Sequence, residues 1–297
     1  MSYSEPIHHV FDAPEARVSY YEWGPAEGRP LLMIHATGFH ARVWDQTIAH
    51  LPGPLRAGLR ILSVDQRGHG QSTTPGPITD WRQPPRDVKA LIEHLDLKGI
   101  VGVGHSMGGH NLTQLCAQMP DRFDALVLFD PVIRPPESYG VQMPPPFDKA
   151  ETHPIARRRA DWPSVEAFYD RLKDHSPYSL WDTGALWDYC RHGLLPKGDG
   201  FELACPGLIE ASVYVSSSSA PLDAEIAAIT QPVTVVRAKQ GGALDGGKMD
   251  FSISPTWPAL ADHFHNGRDI FRPELSHFIP MQDPAFTAAI IAEALQA

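Results

Sequence analysis

The stretch Ile100-Val-Gly-Val-Gly104-His105-Ser106-Met107-Gly108 decides the reading of this chain, because an apolar strand runs directly into a sharp turn that carries a serine. Such a turn is a nucleophile elbow. It lifts the Ser106 hydroxyl to the top of a sheet on a strained backbone, and small residues two before and two after let strand and helix close up around it. Glycines occupy both places, and Met107 to Gln118 supplies the helix-like run that the motif requires.

Working outward, 297 residues at 42% hydrophobic content suffice for a large core, as one compact unit or as a core with a substantial insertion. The net charge of −10 argues against a nucleic-acid partner, and the one dense basic run, Arg157-Arg158-Arg159, reads as a solvated helix face. Cys116, Cys190 and Cys205 are odd in number and lack metal-ligand spacing, which suits reduced thiols in a cytoplasm. The first residues have neither a basic start nor an apolar core, and no window approaches a membrane span, so neither export nor membrane insertion is expected. No metal or cofactor is expected, and a homodimer is left open.

Strands are expected at Val18 to Trp23, Pro30 to His35 and Leu59 to Val64. An amphipathic helix follows over Arg86 to Leu95, with Val88, Leu91, Ile92 and Leu95 at helical spacing. After the elbow helix come the short strand Ala125 to Phe129, strands at Pro232 to Arg237 and around Asp269 to Arg272, and a last helix from Pro284 to Leu295. Buried strands alternating with amphipathic helices imply a mostly parallel, doubly wound α/β sheet covered on both faces. From Arg134 to Thr230 the alternation stops, and the sequence turns aromatic and proline-broken, with Trp162, Phe168, Tyr169, Tyr178, Trp181, Trp187 and Tyr189. That segment, 134–230, is expected to be a helical cap inserted into a core made of 1–133 and 231–297.

The chain resembles the α/β-hydrolase family. The matching pieces are His35-Ala-Thr-Gly-Phe39, Asp65-Gln-Arg-Gly-His-Gly-Gln-Ser72, the elbow, and Ser276-His277-Phe278, in the family's order over about 18–130 and 230–295. A serine hydroxyl needs a base within hydrogen-bond reach to attack a carbonyl at neutral pH. Of fifteen histidines, His277 fits best: it follows the last strand, sits in a loop and lies C-terminal to the nucleophile. His263 and His265 read as solvated, His8 and His9 as surface residues ahead of the domain, His69 and His35 as structural, and His105 as pointing away from Ser106.

The third member must orient the imidazole and stabilise its charged form. Asp130 leads, at the end of the strand after the elbow, a place that the resemblance marks as used by a minority of the family. The commoner place follows Pro232 to Arg237, where no carboxylate stands at the usual distance, so Asp250 and then Asp245 stay open. An Asp-Pro turn at a strand end is the structural reading of Asp130.

The resemblance further implies an oxyanion hole from the backbone N–H groups of Met107 and Thr37, although Ala36 replaces the usual glycine of that loop. Phe39, Trp44 and Phe278 are expected, with cap aromatics, to line an apolar pocket; most cap aromatics read as core, and Phe39 is the strongest of the set because it sits in the oxyanion loop. Asp65 and Arg67 read as pinning their own loop. The expectation is a serine hydrolase that cleaves a carboxylic ester or lactone of a small, largely apolar molecule through an acyl-enzyme. A carbon–carbon bond hydrolase with the same triad, and a small-molecule receptor with little turnover, are the alternatives.

Overall fold

The computed structural model describes residues 5–141, 144–241, 244–245 and 248–296, with only the backbone described at 244, 245, 248 and 249. Its centre is an eight-stranded sheet. The strands are β1 (Ile7–Asp12), β2 (Arg17–Trp23), β3 (Arg29–Ile34), β4 (Leu59–Val64), β5 (Ile100–His105), β6 (Phe123–Phe129), and then β10 (Pro232–Arg237) and β13 (Asn266–Phe271). They lie in the order β1-β2-β4-β3-β5-β6-β10-β13. The hairpin β1-β2 is antiparallel and joins β4 antiparallel, and the six strands from β4 to β13 run parallel. Strand β1 is not among the strands expected from the sequence: His8 and His9 lie at the surface as read, but within the edge strand of the sheet and not ahead of the domain. This edge strand is at most half-buried, so its alternation of exposed and half-buried positions selects no alternating apolar residues in the sequence.

Both faces of the parallel part are buried. In β3, Leu31 and Met33 enter one core while Leu32 and Ile34 enter the other, the two-residue alternation of a strand covered on both sides. The first core also takes residues of α1 (Asp45–His50) and α10 (Pro284–Gln296). The second takes Val88, Leu91 and Ile92 of α3 (Gln83–His94) and Leu112, Leu115 and Cys116 of α4 (Met107–Gln118). Helix α3 begins three residues earlier than the sequence pattern indicated, because Pro84 and Pro85 fall in its first turn, where a missing N–H costs nothing. A short helix α2 (Gly53–Ala57) leads into β4.

Between β6 and β10 the chain forms α5 (Val165–Leu172), α6 (Thr183–His192), α7 (Gly207–Val215) and α8 (Asp223–Ala228). It also forms a three-stranded antiparallel sheet, β7 (Asp161–Trp162), β8 (Leu194–Lys197) and β9 (Gly200–Leu203), in the order β7-β9-β8. The insertion is therefore not purely helical: these strands of two to four residues are too short to leave a periodic signal. The two-residue strands β11 (Leu244–Asp245) and β12 (Lys248–Met249) and helix α9 (Ile279–Gln282) complete the described elements. No described helix is long and apolar enough to cross a membrane.

Candidate active site

Every loop that leaves the C-terminal end of a parallel strand converges on one place, as expected for open α/β sheets. Ser106, between β5 and α4, has φ 57° and ψ −117°, a left-handed backbone that a side chain adopts only under restraint. The restraint is visible. Ser106 N–H donates to Phe129 O at 3.0 Å, and Ser106 O accepts from the N–H groups of Gly109, His110 and Val132 at 3.1, 3.3 and 3.1 Å. Glycine is required on both sides: a Cβ on Gly104 would meet the Gly108 and Gly109 backbone at 2.6 Å, and one on Gly108 would fall on the Ile34 carbonyl.

His277, in the loop after β13, brings Nε2 to 3.0 Å from Ser106 Oγ and Nδ1 to 2.7 Å from Asp130 Oδ2. A carboxylate only accepts, so Nδ1 carries the proton, and Nε2 is left to accept from the serine hydroxyl. Asp130 is wholly buried. Its Oδ1 accepts from Ala238 N–H at 2.9 Å and Ser254 Oγ at 2.6 Å. The Thr256 hydroxyl lies 3.2 Å from the same oxygen but has a shorter bond, 2.8 Å, to the Pro131 carbonyl. The position just past β10 thus supplies a donor to the carboxylate instead of the carboxylate itself.

Asp250 does not reach His277. It is exposed, and its Oδ1 accepts from the Ser252 N–H and hydroxyl at 2.9 and 2.7 Å, bonds that hold its carboxyl below the usual range. Its spacing in sequence suits the histidine, but the loop closes on itself. The side chain of Asp245 lies outside the described residues.

The other buried histidines have no such carboxylate. Burial pushes His40, His69 and His110 down to about 4 and holds His35 and His105 well below the usual imidazole range, and each of these rings bonds a backbone carbonyl. His105 is more than a bystander: its Nε2–H donates to the His277 carbonyl at 2.8 Å and ties the loop of His277 to the end of β5. Sequence reasoning rightly turned it from the serine and missed this anchor.

Thr37 lies beside the serine on one cavity, and its hydroxyl touches Met107 Sδ at 3.7 Å. Neither the Thr37 nor the Met107 backbone N–H meets an acceptor among the described residues. Gly38 turns that loop at φ 78°, closed by Phe39 N–H to Ala36 O at 3.2 Å, so Ala36 leaves the turn intact. The neighbouring loop is pinned by Asp65, which accepts from Ala41 and Gln71 N–H at 2.6 and 2.9 Å. Arg67 grips Asp87 with two bonds of 2.6 and 2.7 Å.

The cavity over Ser106 holds about 340 Å³. Its walls are largely apolar, with Trp81, Val132, Phe147, Phe251, Ile253 and Phe278 among them, and Arg134, His153, Tyr214 and Ser217 supply polar groups. Of the three expected aromatics only Phe278 lines it. Trp44 is wholly buried in the core against Phe129, and Phe39 stacks on Phe278 at 5.8 Å and meets Trp181 and Tyr189 edge-on in the same core. Both point away because long-range packing, not position in the loop, sets their direction. Val132 and Arg134 were within reach of sequence reasoning, since they follow Asp130 directly; the walls from the insertion carry no local signal. Among the described residues one group of possible metal ligands, Asp45, Asp188 and His192, lies elsewhere, and Arg42 already pairs with Asp45 at 2.6 Å.

The chain belongs to the alpha/beta hydrolase family, whose model matches residues 31–290. Hydrolases with lactone and ester substrates are among its relatives. It is 26% identical over 237 residues to 3-oxoadipate enol-lactonase 2 of Acinetobacter baylyi, covering 78% of this chain and 83% of that protein. It is 34% identical over 138 residues to a non-heme chloroperoxidase of Streptomyces lividans, a match that spans only 46% of this chain and 45% of the relative. Among solved structures, E-2-(acetamidomethylene)succinate hydrolase superposes with a TM-score of 0.75 at 18% identity, covering 98% of this chain and all of the other.

Proposed function

We propose that the protein is a serine hydrolase that cleaves a carboxylic ester or lactone of a small molecule through an acyl-enzyme. One observation carries the reading: Ser106 Oγ, His277 and Asp130 form a continuous chain of hydrogen bonds of 3.0 and 2.7 Å that runs from the cavity lined by Ser106 and His277 to the wholly buried carboxylate. His277 Nε2 takes the hydroxyl proton as Ser106 Oγ attacks the carbonyl carbon, and buried Asp130 stabilises the imidazolium that results. The N–H groups of Met107 and Thr37 receive the oxyanion, a role in which one donor supplies about 2.7–4 kcal/mol. His277 then returns its proton to the leaving alcohol, and the same base activates water to release the acid. The likeness to an enol-lactonase over most of both chains supports the substrate class. Three buried free thiols fit the reducing, cytoplasmic setting of the proposal.

The test is burst release of para-nitrophenol from an activated ester, with loss of both burst and turnover in Ser106→Ala. Absence of a burst, with ligand binding unchanged in the variant, would instead favour a receptor. Product analysis separates ester from carbon–carbon cleavage.

A further inference from the structure

Four arginines that the fold draws inward are each paired with a carboxylate. Arg42 pairs with Asp45, Arg67 with Asp87, Arg158 with Glu210 and Arg237 with Asp269. This is the usual requirement for a cation removed from water. Arg134 breaks the pattern. It is half-buried, its Nε is buried without a hydrogen-bond partner, and no carboxylate among the described residues lies within ion-pair distance. Among the described residues the guanidinium meets only the Ser217 carbonyl, which accepts from Nη2 at 3.0 Å, and the Tyr139 ring, 5.5 Å from the guanidinium carbon, while the Arg134 backbone N–H donates to the Tyr139 hydroxyl at 3.4 Å. Burial pushes its pKa down, whereas those of the four paired arginines are raised.

The position of this cation is informative. Arg134 lines the cavity over Ser106 and also a wider cavity of about 700 Å³, and it stands with Phe147 and Ser217 on the boundary between them. His153, almost fully buried, lines the same inner cavity. Its Nδ1 accepts from Ile155 N–H at 3.2 Å, so the proton sits on Nε2, which has no acceptor among the described residues. A cation without a counter-ion and a ring donor without an acceptor among the described residues thus line one cavity. Asp250 is the one described carboxylate on the cavity besides the buried triad, and it is exposed and bonded to Ser252.

We propose that the substrate carries its own carboxylate, separate from the bond that is cut, and that Arg134 binds it at the wall of the Ser106 cavity. The guanidinium fork matches a carboxylate in two parallel hydrogen bonds, and the half-buried setting strengthens them. The apolar walls hold the carbon chain between that carboxylate and the scissile carbonyl. This inference rests on the ester or lactone hydrolase reading and narrows it from a largely apolar molecule to an anionic half-ester or a lactone acid.

The test compares two matched esters, para-nitrophenyl hydrogen adipate and para-nitrophenyl methyl adipate, which differ only in the terminal charge. Wild-type protein should show a kcat/KM about 10- to 100-fold higher for the anionic ester, the range of a hydrogen bond to a charged group. Arg134→Met should bring the ratio close to one, and Arg134→Lys, which keeps the charge and loses the fork, should fall between. A wild-type ratio near one, or a ratio unchanged in Arg134→Met, overturns the proposal. A second readout does not need turnover: calorimetric titration of Ser106→Ala protein with monomethyl and dimethyl adipate should show preference for the anion, lost in the Ser106→Ala, Arg134→Met double variant. Equal binding of the two overturns the carboxylate site, whereas failure to cleave either ester, with anion preference in the titration intact, overturns only the hydrolase reading.

Discussion

Replacing Asp130 by asparagine isolates the part of the site that sequence left open. The Oδ1 position is fixed by two donors, Ala238 N–H at 2.9 Å and the Ser254 hydroxyl at 2.6 Å, so the amide oxygen of the introduced side chain must take that place. The amide NH2 then faces His277 Nδ1, where the carboxylate oxygen now stands at 2.7 Å. To avoid two donors meeting, the ring must carry its proton on Nε2, opposite the serine hydroxyl, and can no longer accept from it. Each hydrogen bond of the pocket survives, that between Nε2 and Ser106 Oγ with its direction reversed, so folding stability should drop by no more than about 1 kcal/mol. Turnover should not survive: the same tautomer switch in another serine hydrolase costs about 10⁴-fold in kcat, which at about 1.36 kcal/mol per decade is about 5 kcal/mol of transition-state stabilisation. The assay is pre-steady-state and steady-state release of para-nitrophenol, with urea unfolding alongside. An Asp130→Asn protein that keeps more than about a tenth of kcat refutes the assignment. So does an Asp250→Asn protein that loses as much as Asp130→Asn.

Two further substitutions test the scaffold. Gly108→Ala drives a methyl group into the Ile34 carbonyl and against that of His35, backbone atoms that have nowhere to move; urea unfolding should show a loss of at least about 3 kcal/mol, and a loss below about 1 would contradict the elbow packing. Burial raises the Asp65 carboxyl from 3.8 to about 6, against the opposing effect of its two backbone N–H donors. The folded protein therefore holds a proton between about pH 4 and 6 that the unfolded chain has lost, and the stability contribution of this group falls as pH rises through that window. Relative to Asp65→Asn, which does not titrate, wild-type protein should lose about 3 kcal/mol between about pH 4 and pH 7 in urea titrations, and a constant difference would refute it.

Much of this site was legible without coordinates, and the reason is locality. The steric demands of the elbow act within Gly104 to Gly108, and the alternating burial of β3 and the helical spacing of α3 act within a dozen residues, so the fold class and Ser106 follow from adjacent side chains. His277 follows from chain order, because a parallel sheet delivers successive loops to the same edge. What tertiary structure alone decided involves contacts between distant segments. Asp130, and not Asp250, meets the His277 ring, held there by donors from Ala238 and Ser254, more than a hundred residues away, while Asp250 is satisfied within its own loop by Ser252. Trp44 and Phe39 belong to the core and not to the cavity because the directions of aromatic rings are set by their packing partners, Phe129 for one and Trp181 and Tyr189 for the other. The unpaired charge of Arg134 is of the same kind: a sequence shows that an arginine is present, and only the fold shows that no described carboxylate comes to meet it.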